Sequence, residues 1–417
     1  MDVVEHLRRR RGRVRLLLSV GIAAGLAATV FYLLFRPNPP ITFDVFYAAA
    51  ESGVDGDVVY ETEHGLYVYT PIVLLLFFPF VLLEFGAALL AIRLLTVAVA
   101  LGYGVFLVRF LRDHADLSQL DEVLVLAFVA LSVYPVSIVA TANINVLFGT
   151  CLGVGFVWLE RDSDAGGVVW ALAALVKIFP ALWGLYLLRL RRWQAVAAAI
   201  MTGVGATLLG VVLFGIDAHL RFLSASTGSR VRLRNFAGGK SPDNEAITPV
   251  RSFAQVFPTV DPTVWAPVIA VIVVVLTALI YYLLRPETVT DRATLLLATV
   301  LGITLLMPTS QDQDVYLLYA PLLVLLFLER NAVVHWLYVV GGIVLSLNFG
   351  REELRTVTEA VSPDLSEAVM VLGEPVLAFA PMPLYGILLL YVGCLTSAWL
   401  RGKEAGRVQA LRRHAVG

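Results

Sequence analysis

Four polar side chains lie beside long apolar runs and could do chemistry there. Asp44 stands in "PITFDVFYAA", shortly after residues 16–35, which carry no charge. Lys177 interrupts "ALAALVKIFPALW", and Asn143 and Asn145 lie in "ANINVLFG". A charged group near apolar surroundings loses hydration, which is costly unless the group has a partner or a task. A carboxylate can take a proton from an attacking hydroxyl, an ammonium suits a phosphate, and amides can bind sugar hydroxyls.

These positions also have structural interpretations. A lysine near a helix end can snorkel toward the membrane surface, and an asparagine after a turn can cap a helix. The chain contains 28 Arg but only 3 Lys, which favours a specific role for Lys177, namely pairing with an anion. Partial burial against Phe43, Phe46 and Tyr47 is expected to raise the basicity of Asp44.

A second polar group lies between two apolar runs in "LLMPTSQDQDVYLLYAP", which contains Ser310, Asp312 and Asp314. The alternative to a functional role is a solvated turn. The two carboxylates could hold a divalent cation, but the sequence offers no clear third ligand, so we predict no cofactor. The chain has no Walker A loop, HExxH, Gly-x-Ser-x-Gly or GxGxxG motif, so a site would be built from scattered residues.

A long polar loop carries cations on the side that we predict to lie outside the cell. Because external loops are usually poor in Arg and Lys, these cations are expected to meet an anion, either a substrate or anionic lipid headgroups. The loop reads "GSRVRLRNFAGGKSPDNEAITPVRSF" and contains Arg230, Arg232, Arg234, Lys240 and Arg251.

The whole chain has the composition of a membrane protein. Of its 417 residues 59% are hydrophobic and 15% charged, whereas soluble proteins have about 25% charged residues. The net charge of −1 argues against a nucleic-acid partner, and both cysteines lie inside apolar runs, which makes a disulfide framework or a Cys-ligated metal unexpected. We therefore expect an all-α polytopic protein, in contact with membrane lipids, in the cell membrane.

Basic residues set the predicted orientation. The N-terminus reads "HLRRRRGRVR" and residues 401–417 are also basic, so the positive-inside rule places both termini in the cytoplasm. The first span then delivers Asp44 to the outer face. About twelve spans are predicted: two short helices within 167–188, and others near 16–35, 86–110, 122–140, 144–160, 193–215, 263–284, 293–308, 314–328, 332–349 and 383–400.

The segment 167–188 is predicted to be a hairpin. Arg161 precedes it and Arg189 follows it, and both favour the cytoplasm. Both ends can lie inside only if two short helices meet at an apex, "VKIFP", with Pro180 starting the descending arm.

The segment 71–84 is short for a span and is interrupted by Pro79, which favours a juxtamembrane or re-entrant element. In a rival topology 71–84 and 167–188 are each single spans, which moves Asn143 and Lys177 away from the outer face. In either case the chain is expected to form one integral membrane domain, 1–417. Its parts are a first span (16–35), an outer loop with juxtamembrane elements (36–85), core spans (86–215), a large outer loop (217–262), C-terminal spans (263–400) and a tail (401–417).

Several short motifs occur in a recognisable order. "FDVFYAA" followed by "YVYTP" is similar to the opening of GT-C-fold membrane glycosyltransferases. "ANINVLFG", then "ALAALVKIFPALW" with "RRWQA", then "PTSQDQDVYLLYAPLL", resemble the later motifs of glycosyltransferase family 87, the polyprenyl-phosphate-mannose-dependent mannosyltransferases. The resemblance covers roughly residues 40 to 330. Asn143 departs from it, because that family usually has Gln there.

The resemblance implies a GT-C-like bundle and a role for each matching residue. Asp44 takes the position of the catalytic base, and Lys177 and Arg251 match basic positions near the donor phosphate. The implied reaction moves a hexose, expected to be mannose, from a polyprenyl phosphate to a glycolipid or lipid-linked glycan, with inversion, at the extracytoplasmic face. The candidates for binding sugar or acceptor are Tyr47, Tyr69, Asn143, Asn145, Asn244, Ser310, Asp312 and Asp314.

A transporter or flippase for a lipid-linked or anionic substrate is the competing class, because polar residues at broken helices also mark transport sites. The sequence shows no internal inverted repeat, and its polar residues cluster toward one face. Both features favour the enzyme. A membrane assembly or scaffold role is the third possibility.

Overall fold

The chain folds almost entirely into α-helices, as its composition predicts, and forms a polytopic membrane protein. The computed structural model describes residues 3–35, 42–54, 56, 60–62, 65–226, 233, 236–239, 246–308 and 310–416. Contacts between Cα atoms divide the chain into two compact units. Unit 1 comprises 1–24, 111–125 and 235–417, and unit 2 comprises 25–110 and 126–234.

The first half of the chain, up to Ser226, supplies most of unit 2. Its only strands within the described residues form a hairpin of β1 (Glu61–Thr62) and β2 (Gly65–Leu66). Two 3₁₀ helices cover Pro71–Leu76 and Phe179–Trp183. The α-helices are α1 (Val3–Phe35), α2 (Phe43–Val54), α3 (Phe78–Val81), α4 (Phe85–Arg112), α5 (Gln119–Leu131), α6 (Val133–Ala140), α7 (Asn145–Glu160), α8 (Ala165–Val176), α9 (Gly184–Arg189) and α10 (Trp193–Ser226).

The second half of the chain supplies most of unit 1. A 3₁₀ helix covers Asp312–Leu318. The α-helices are α11 (Pro249–Val256), α12 (Pro262–Leu283), α13 (Val289–Leu306), α14 (Tyr319–Leu328), α15 (Ala332–Ser346), α16 (Arg351–Val361), α17 (Pro363–Phe379) and α18 (Met382–Val416).

Seven helical segments within the described residues are long and apolar enough to cross a membrane. An eighth is possible if α15 and α16, which meet at a 60° bend, form one broken span. The predicted count of about twelve is not confirmed, because α7 and α8 are apolar but shorter. The seven segments are Arg9–Phe35, Phe85–Arg112, Gln119–Ala140, Trp193–Ala225, Pro262–Leu283, Val289–Leu306 and Met382–Lys403.

Glycines allow the helices of unit 2 to approach closely. A Cβ atom on Gly155 of α7 would lie 2.2 Å from Nε1 of Trp170 in α8, and one on Gly167 would lie 2.1 Å from the carbonyl oxygen of Ala195 in α10. Small residues at such contacts are the usual way in which membrane helices pack. Larger residues at either position would push α8 away from its neighbours.

The helix α10 contains a break where the sequence predicts the end of a span. Gly215 has φ 79° and ψ 164°, a conformation that is readily available only to glycine. The helix continues beyond it to Ser226, into the segment that the sequence assigns to the outer loop. Residues 350–382, which lie between the predicted spans 332–349 and 383–400, are likewise mostly helical, in α16 and α17.

Candidate active site

Asp44 lies at the start of a short helix that packs through its aromatic face. Phe43 and Phe46 are fully buried, and the ring of Phe46 stacks on Phe77 with centroids 4.6 Å apart. Asp44 stands between them in the first turn of α2 and is half-buried. A carboxylate is favoured at a helix N-terminus, where unpaired N–H groups carry partial positive charge. The rigid aromatic packing therefore holds the carboxylate at one edge of α2.

Both predicted tyrosines, Tyr47 and Tyr69, pack in the same region as the aromatic rings of Phe43 and Phe46. The hydroxyl of Tyr47 donates to the carbonyl of Leu83 at 2.9 Å. Tyr69 is buried, with its ring centroid 4.9 Å from that of Phe46 and 5.4 Å from that of Tyr67. Burial raises the pKa of Tyr67 well above its usual value, so this neighbouring hydroxyl stays protonated. Sugar binding by Tyr47 and Tyr69 stays a prediction, and packing already accounts for both rings.

The turn between α6 and α7 lies beside the start of α2. The backbone N–H of Thr42 donates to the carbonyl of Thr141 at 2.8 Å, and the side-chain amide of Asn143 reaches the hydroxyl of Thr42 at 3.5 Å. Asn143 is 6% exposed, and its side-chain oxygen is buried without a hydrogen-bond partner in the described part of the chain. A buried amide oxygen without a donor is costly. The turn therefore presents an acceptor that a ligand hydroxyl could satisfy, two residues along the chain from Asn145.

Neither asparagine caps α7, so that structural interpretation is wrong. The N-cap position is Ile144, and Asn145 is the first residue of the helix. Its side chain instead accepts a hydrogen bond from the ammonium of Lys177, with Nζ and Oδ1 3.0 Å apart. The same ammonium lies 5.2 Å and 5.8 Å from the ring centroids of Phe148 and Phe179. Lys177 therefore directs its charge at specific partners, which argues against simple snorkelling.

The segment that carries Lys177 is a hairpin, as predicted. Helix α8 ends at Val176, and Lys177 has an extended backbone. The rings of Trp170 and Trp183 are 5.8 Å apart, whereas residues thirteen apart in one continuous helix would be separated by about 20 Å. At the base of the hairpin, the guanidinium of Arg192 bonds to Asp162. The hairpin apex is thus the place where the chain presents the half-buried Lys177.

The segment 71–84 also proves to be broken. It forms the 3₁₀ helix Pro71–Leu76 and the four-residue helix α3, and neither piece is long enough to cross about 30 Å of hydrocarbon. The hydroxyl of Thr70, just before the 3₁₀ helix, donates to the carbonyl of Leu175 at 2.5 Å. This bond ties the segment after Tyr69 to the end of α8, next to Lys177.

Sequence reasoning missed Arg93, which lies in the apolar helix α4. Its guanidinium donates to the carbonyl of Ala140 at 2.8 Å, at the end of α6, and its Nε is buried without a partner among the described residues. Charged residues inside membrane spans are rare and costly. An arginine within "LLAIRLLTVAVALG" was the signal that could have identified it. Arg93 positions the end of α6, from which the Asn143 turn follows.

The remaining predicted site residues that the structure describes belong to unit 1. Arg251 is 1% exposed and lies in the first turn of α11, which Thr248 caps by accepting from the N–H of Val250. The N–H of Ile247 donates to the carbonyl of Ser310 at 2.9 Å. This bond anchors the start of α11 beside the turn that contains the predicted carboxylates. Asn244 and Lys240 lie outside the described residues, as do Arg230, Arg232 and Arg234.

The two carboxylates of that turn already have local partners. Asp312 accepts from the side-chain amide of Asn348 at 2.9 Å, and Asp314 accepts from the N–H of Gln311 at 3.1 Å. Desolvation by burial raises the pKa of Asp312, partly opposed by its hydrogen bond from Asn348. Within the described residues no three His, Cys, Asp or Glu side chains are grouped so that they could hold a metal ion. The turn is structured, and a role in sugar binding stays a prediction.

Comparison with known proteins agrees with the motifs. The model of glycosyltransferase family 87 matches residues 67–308, a range that includes Lys177 and Arg251 but starts after Asp44. A polyprenol-phosphate-mannose-dependent alpha-(1-2)-phosphatidylinositol mannoside mannosyltransferase from Mycobacterium tuberculosis is 30% identical over 238 residues, or 52% of this chain and 55% of the relative. The chain thus matches about half the length of that relative. No solved structure matches the chain significantly. Since the family model covers more than half of the sequence, the chain belongs to glycosyltransferase family 87.

Proposed function

We propose that the protein transfers a mannosyl group from a polyprenyl phosphate to a hydroxyl of a glycolipid acceptor, with inversion at the anomeric carbon. Family membership supports glycosyl transfer, and the name of the mycobacterial relative supports the donor and suggests a phosphatidylinositol mannoside as the first acceptor to test. The observation that carries the proposal is the contact of the Lys177 ammonium with Asn145 at 3.0 Å, in the same unit as Asp44 and Asn143.

In the proposed reaction, Asp44 acts as the general base. Its carboxylate accepts the proton of the acceptor hydroxyl as that oxygen attacks C1 of the sugar. General-base assistance of this kind typically contributes about 10²–10⁴-fold. The start of α2 suits this task, because the packing of Phe43 and Phe46 fixes the position of the carboxylate.

The leaving group takes the electron pair of the C1–O bond and departs as a polyprenyl phosphate. Lys177 stabilises the charge that develops on this phosphate, as preorganised cations do at a site from which water is partly excluded. The side-chain oxygen of Asn143 accepts a hydrogen bond from a sugar hydroxyl, which would satisfy a buried atom that has no partner in the described residues. The role of Arg251 at the donor phosphate stays a prediction from the family's motif.

The proposed site faces the extracytoplasmic side. The basic segment before the first span and the basic tail support cytoplasmic termini, which would put Asp44 outside, just after α1. Labelling of a cysteine introduced at position 44 only from the cytoplasmic side would contradict this orientation.

The decisive experiment incubates purified full-length protein with radiolabelled polyprenyl-phosphate mannose and a phosphatidylinositol mannoside. The expected result is a labelled glycolipid whose new bond has the anomeric configuration opposite to that of the donor. Retained configuration would refute direct displacement. Movement of labelled donor across vesicle membranes without any product would favour the transporter alternative.

A further inference from the structure

A cavity of about 520 Å³ lies within unit 1, and none of its lining residues takes part in the proposed mechanism. It is lined by the end of α12, the start of α13, the start of α15 and residues 397–401 of α18. Its walls combine apolar side chains with charged ones. The lining residues that matter here are Arg285, Asp291, Glu329, Arg330, Ser397 and Arg401.

The inner charges of this cavity, one guanidinium and two carboxylates, are paired with one another. The guanidinium of Arg401 bonds to Asp291 and, at 2.6 Å, to Glu329. These carboxylates are only 6% and 2% exposed, and each accepts further bonds, from Thr288 and from the N–H of Asn331. A buried, mutually paired network of this kind is a structural joint between helices. It offers no unpaired cation with which to hold an anionic ligand.

The rim, in contrast, carries cations without partners. Arg285 and Arg330 are exposed, and neither forms an ion pair within the described residues. The lining contains three arginines and three acids, the third acid being Glu287. Arg10 and Arg292 add two further cations, through bonds to the backbone carbonyls of Glu329 and Glu287. The formal charges of the lining itself balance, and these two guanidiniums lie beside it.

A buried hydroxyl at the same place lacks a partner. Ser397 is 0% exposed, and its Oγ makes no hydrogen bond to the described part of the chain. Leaving such a group unpaired is unfavourable. Rotation about χ1 would let it donate to an acceptor in the cavity. Two rim guanidiniums and a hydroxyl are donors that suit a ligand with several anionic oxygens, such as a phosphate.

The surroundings indicate that the phosphate belongs to a lipid. Tyr282 is 84% and Trp399 50% exposed, and the ammonium of Lys403 lies 3.6 Å from the ring centroid of Trp399. Arg13 stacks over Trp336 at 4.2 Å. Tyrosine, tryptophan and basic residues together mark the membrane interface. The cavity therefore opens at headgroup level, beside apolar helix surface that can accommodate an acyl chain.

We propose that this cavity binds the phosphate headgroup of an anionic membrane lipid, on the face that carries both termini. Arg285 and Arg330 contact the phosphate oxygens, and Ser397 donates from the cavity floor. Binding would clamp α12, α13 and α18 together around the Arg401 network. This site is independent of the proposed glycosyl transfer and would persist if that function were wrong.

Native mass spectrometry of the detergent-purified full-length protein tests the proposal, with added phosphatidylglycerol and, in parallel, phosphatidylcholine. Phosphatidylglycerol should bind in preference. Because each basic residue near a membrane surface contributes about a fivefold effect, R285A/R330A should bind it about 10- to 30-fold more weakly. S397A should lose several-fold, as expected for one hydrogen bond.

The control variant R109A/R161A removes two exposed arginines from unit 2 and should stay within about threefold of the wild type, a difference that corresponds to less than one hydrogen bond. Thermal unfolding checks that every variant is folded. Equal binding by R285A/R330A and the wild type, or equal binding of phosphatidylcholine, would overturn the proposal. Displacement of the lipid by millimolar inorganic phosphate would assign the site to a free anion instead.

Discussion

Replacing Lys177 with methionine isolates the role of its charge. Methionine keeps most of the apolar stem, which lies near the rings of Phe148 and Phe179, but removes the ammonium that donates to Asn145 at 3.0 Å. If the ammonium stabilises a leaving phosphate, K177M should lower kcat/KM for the polyprenyl-phosphate donor. If it only joins α7 to the hairpin, K177M should lower thermal stability instead and leave turnover almost unchanged.

The expected size of the loss follows from the environment of the ammonium. A hydrogen bond to a charged group contributes about 1.5–3 kcal/mol. The bare Coulomb attraction between unit charges 4 Å apart, at an effective dielectric constant of about 20, is about 4 kcal/mol and sets an upper limit. Lys177 is half-buried, so solvent screening favours the lower range. At about 1.36 kcal/mol per tenfold change, kcat/KM should fall by about 10- to 150-fold.

The assay measures initial rates of transfer from radiolabelled donor over a range of donor concentrations, beside thermal unfolding in the same detergent. K403M is the matched control, since Lys403 contacts Trp399 and lies outside the proposed site. Its kcat/KM should stay within about twofold of the wild type, less than the effect of one hydrogen bond. The phosphate role of Lys177 would be refuted if folded K177M protein kept kcat/KM within about threefold of the wild type, because that difference is smaller than the effect of one hydrogen bond to a charged group.

Three further substitutions test other parts of the structure. D44N should lower turnover by at least about 10²-fold while donor binding persists, and near-normal turnover of folded D44N protein would remove Asp44 as the base. The folded state raises the pKa of Asp312 above its ordinary value of 3.8. The stability of the wild type should therefore fall as pH rises from that value through the raised pKa. D312N should flatten this pH dependence in melting curves between about pH 4 and 7, and an unchanged pH dependence would contradict the role of Asp312. R401M should destabilise unit 1 by about 3–5 kcal/mol, because it leaves Asp291 and Glu329 buried without their cation, whereas a loss below about 1 kcal/mol would show the network to be of no more consequence than a surface ion pair.

The long apolar helices could be predicted from sequence to within a few residues. The predicted spans 86–110, 263–284 and 383–400 correspond to the apolar helices Phe85–Arg112, Pro262–Leu283 and Met382–Lys403. Uninterrupted apolar residues fix the interior of such helices, and charges or prolines mark their ends. Because these signals depend only on neighbouring residues in the chain, they can be read without knowledge of the tertiary structure.

Elements whose form depends on tertiary contacts were harder to predict. The sequence predicts an outer loop from residue 217 and no span between 350 and 382, yet α10 continues to Ser226 and two helices, α16 and α17, fill the second segment. Charged residues interrupt both segments, so a search for long apolar runs passes over them. The chain also divides into two compact units whose segments alternate along the sequence, and this division is a property of tertiary structure alone.

The candidate site shows the same contrast. The residue types identified Lys177 and Asn145 separately, but their hydrogen bond joins positions 32 apart in the chain, and no local pattern specifies it. Arg93 could have been identified from the sequence. An arginine within an apolar run is costly to place in a membrane, so its presence indicates a specific contact. Its actual partner, the carbonyl of Ala140, again required the fold.

The polar residues of unit 2 share a structural setting that explains why a membrane protein can keep them. Asp44 lies at the start of a helix, Asn143 in a turn between helices, and Lys177 between α8 and a 3₁₀ helix. Broken backbone within or near a membrane leaves N–H and C=O groups that need polar partners, so such breaks are tolerated only where protein or a polar cavity surrounds them. The same breaks release side chains from the lipid-facing surface of a regular helix. A hydrophilic sugar phosphate on an apolar carrier needs such a setting, and it is at these breaks that the chain places the proposed base, the proposed phosphate-binding cation and the proposed sugar-binding amides.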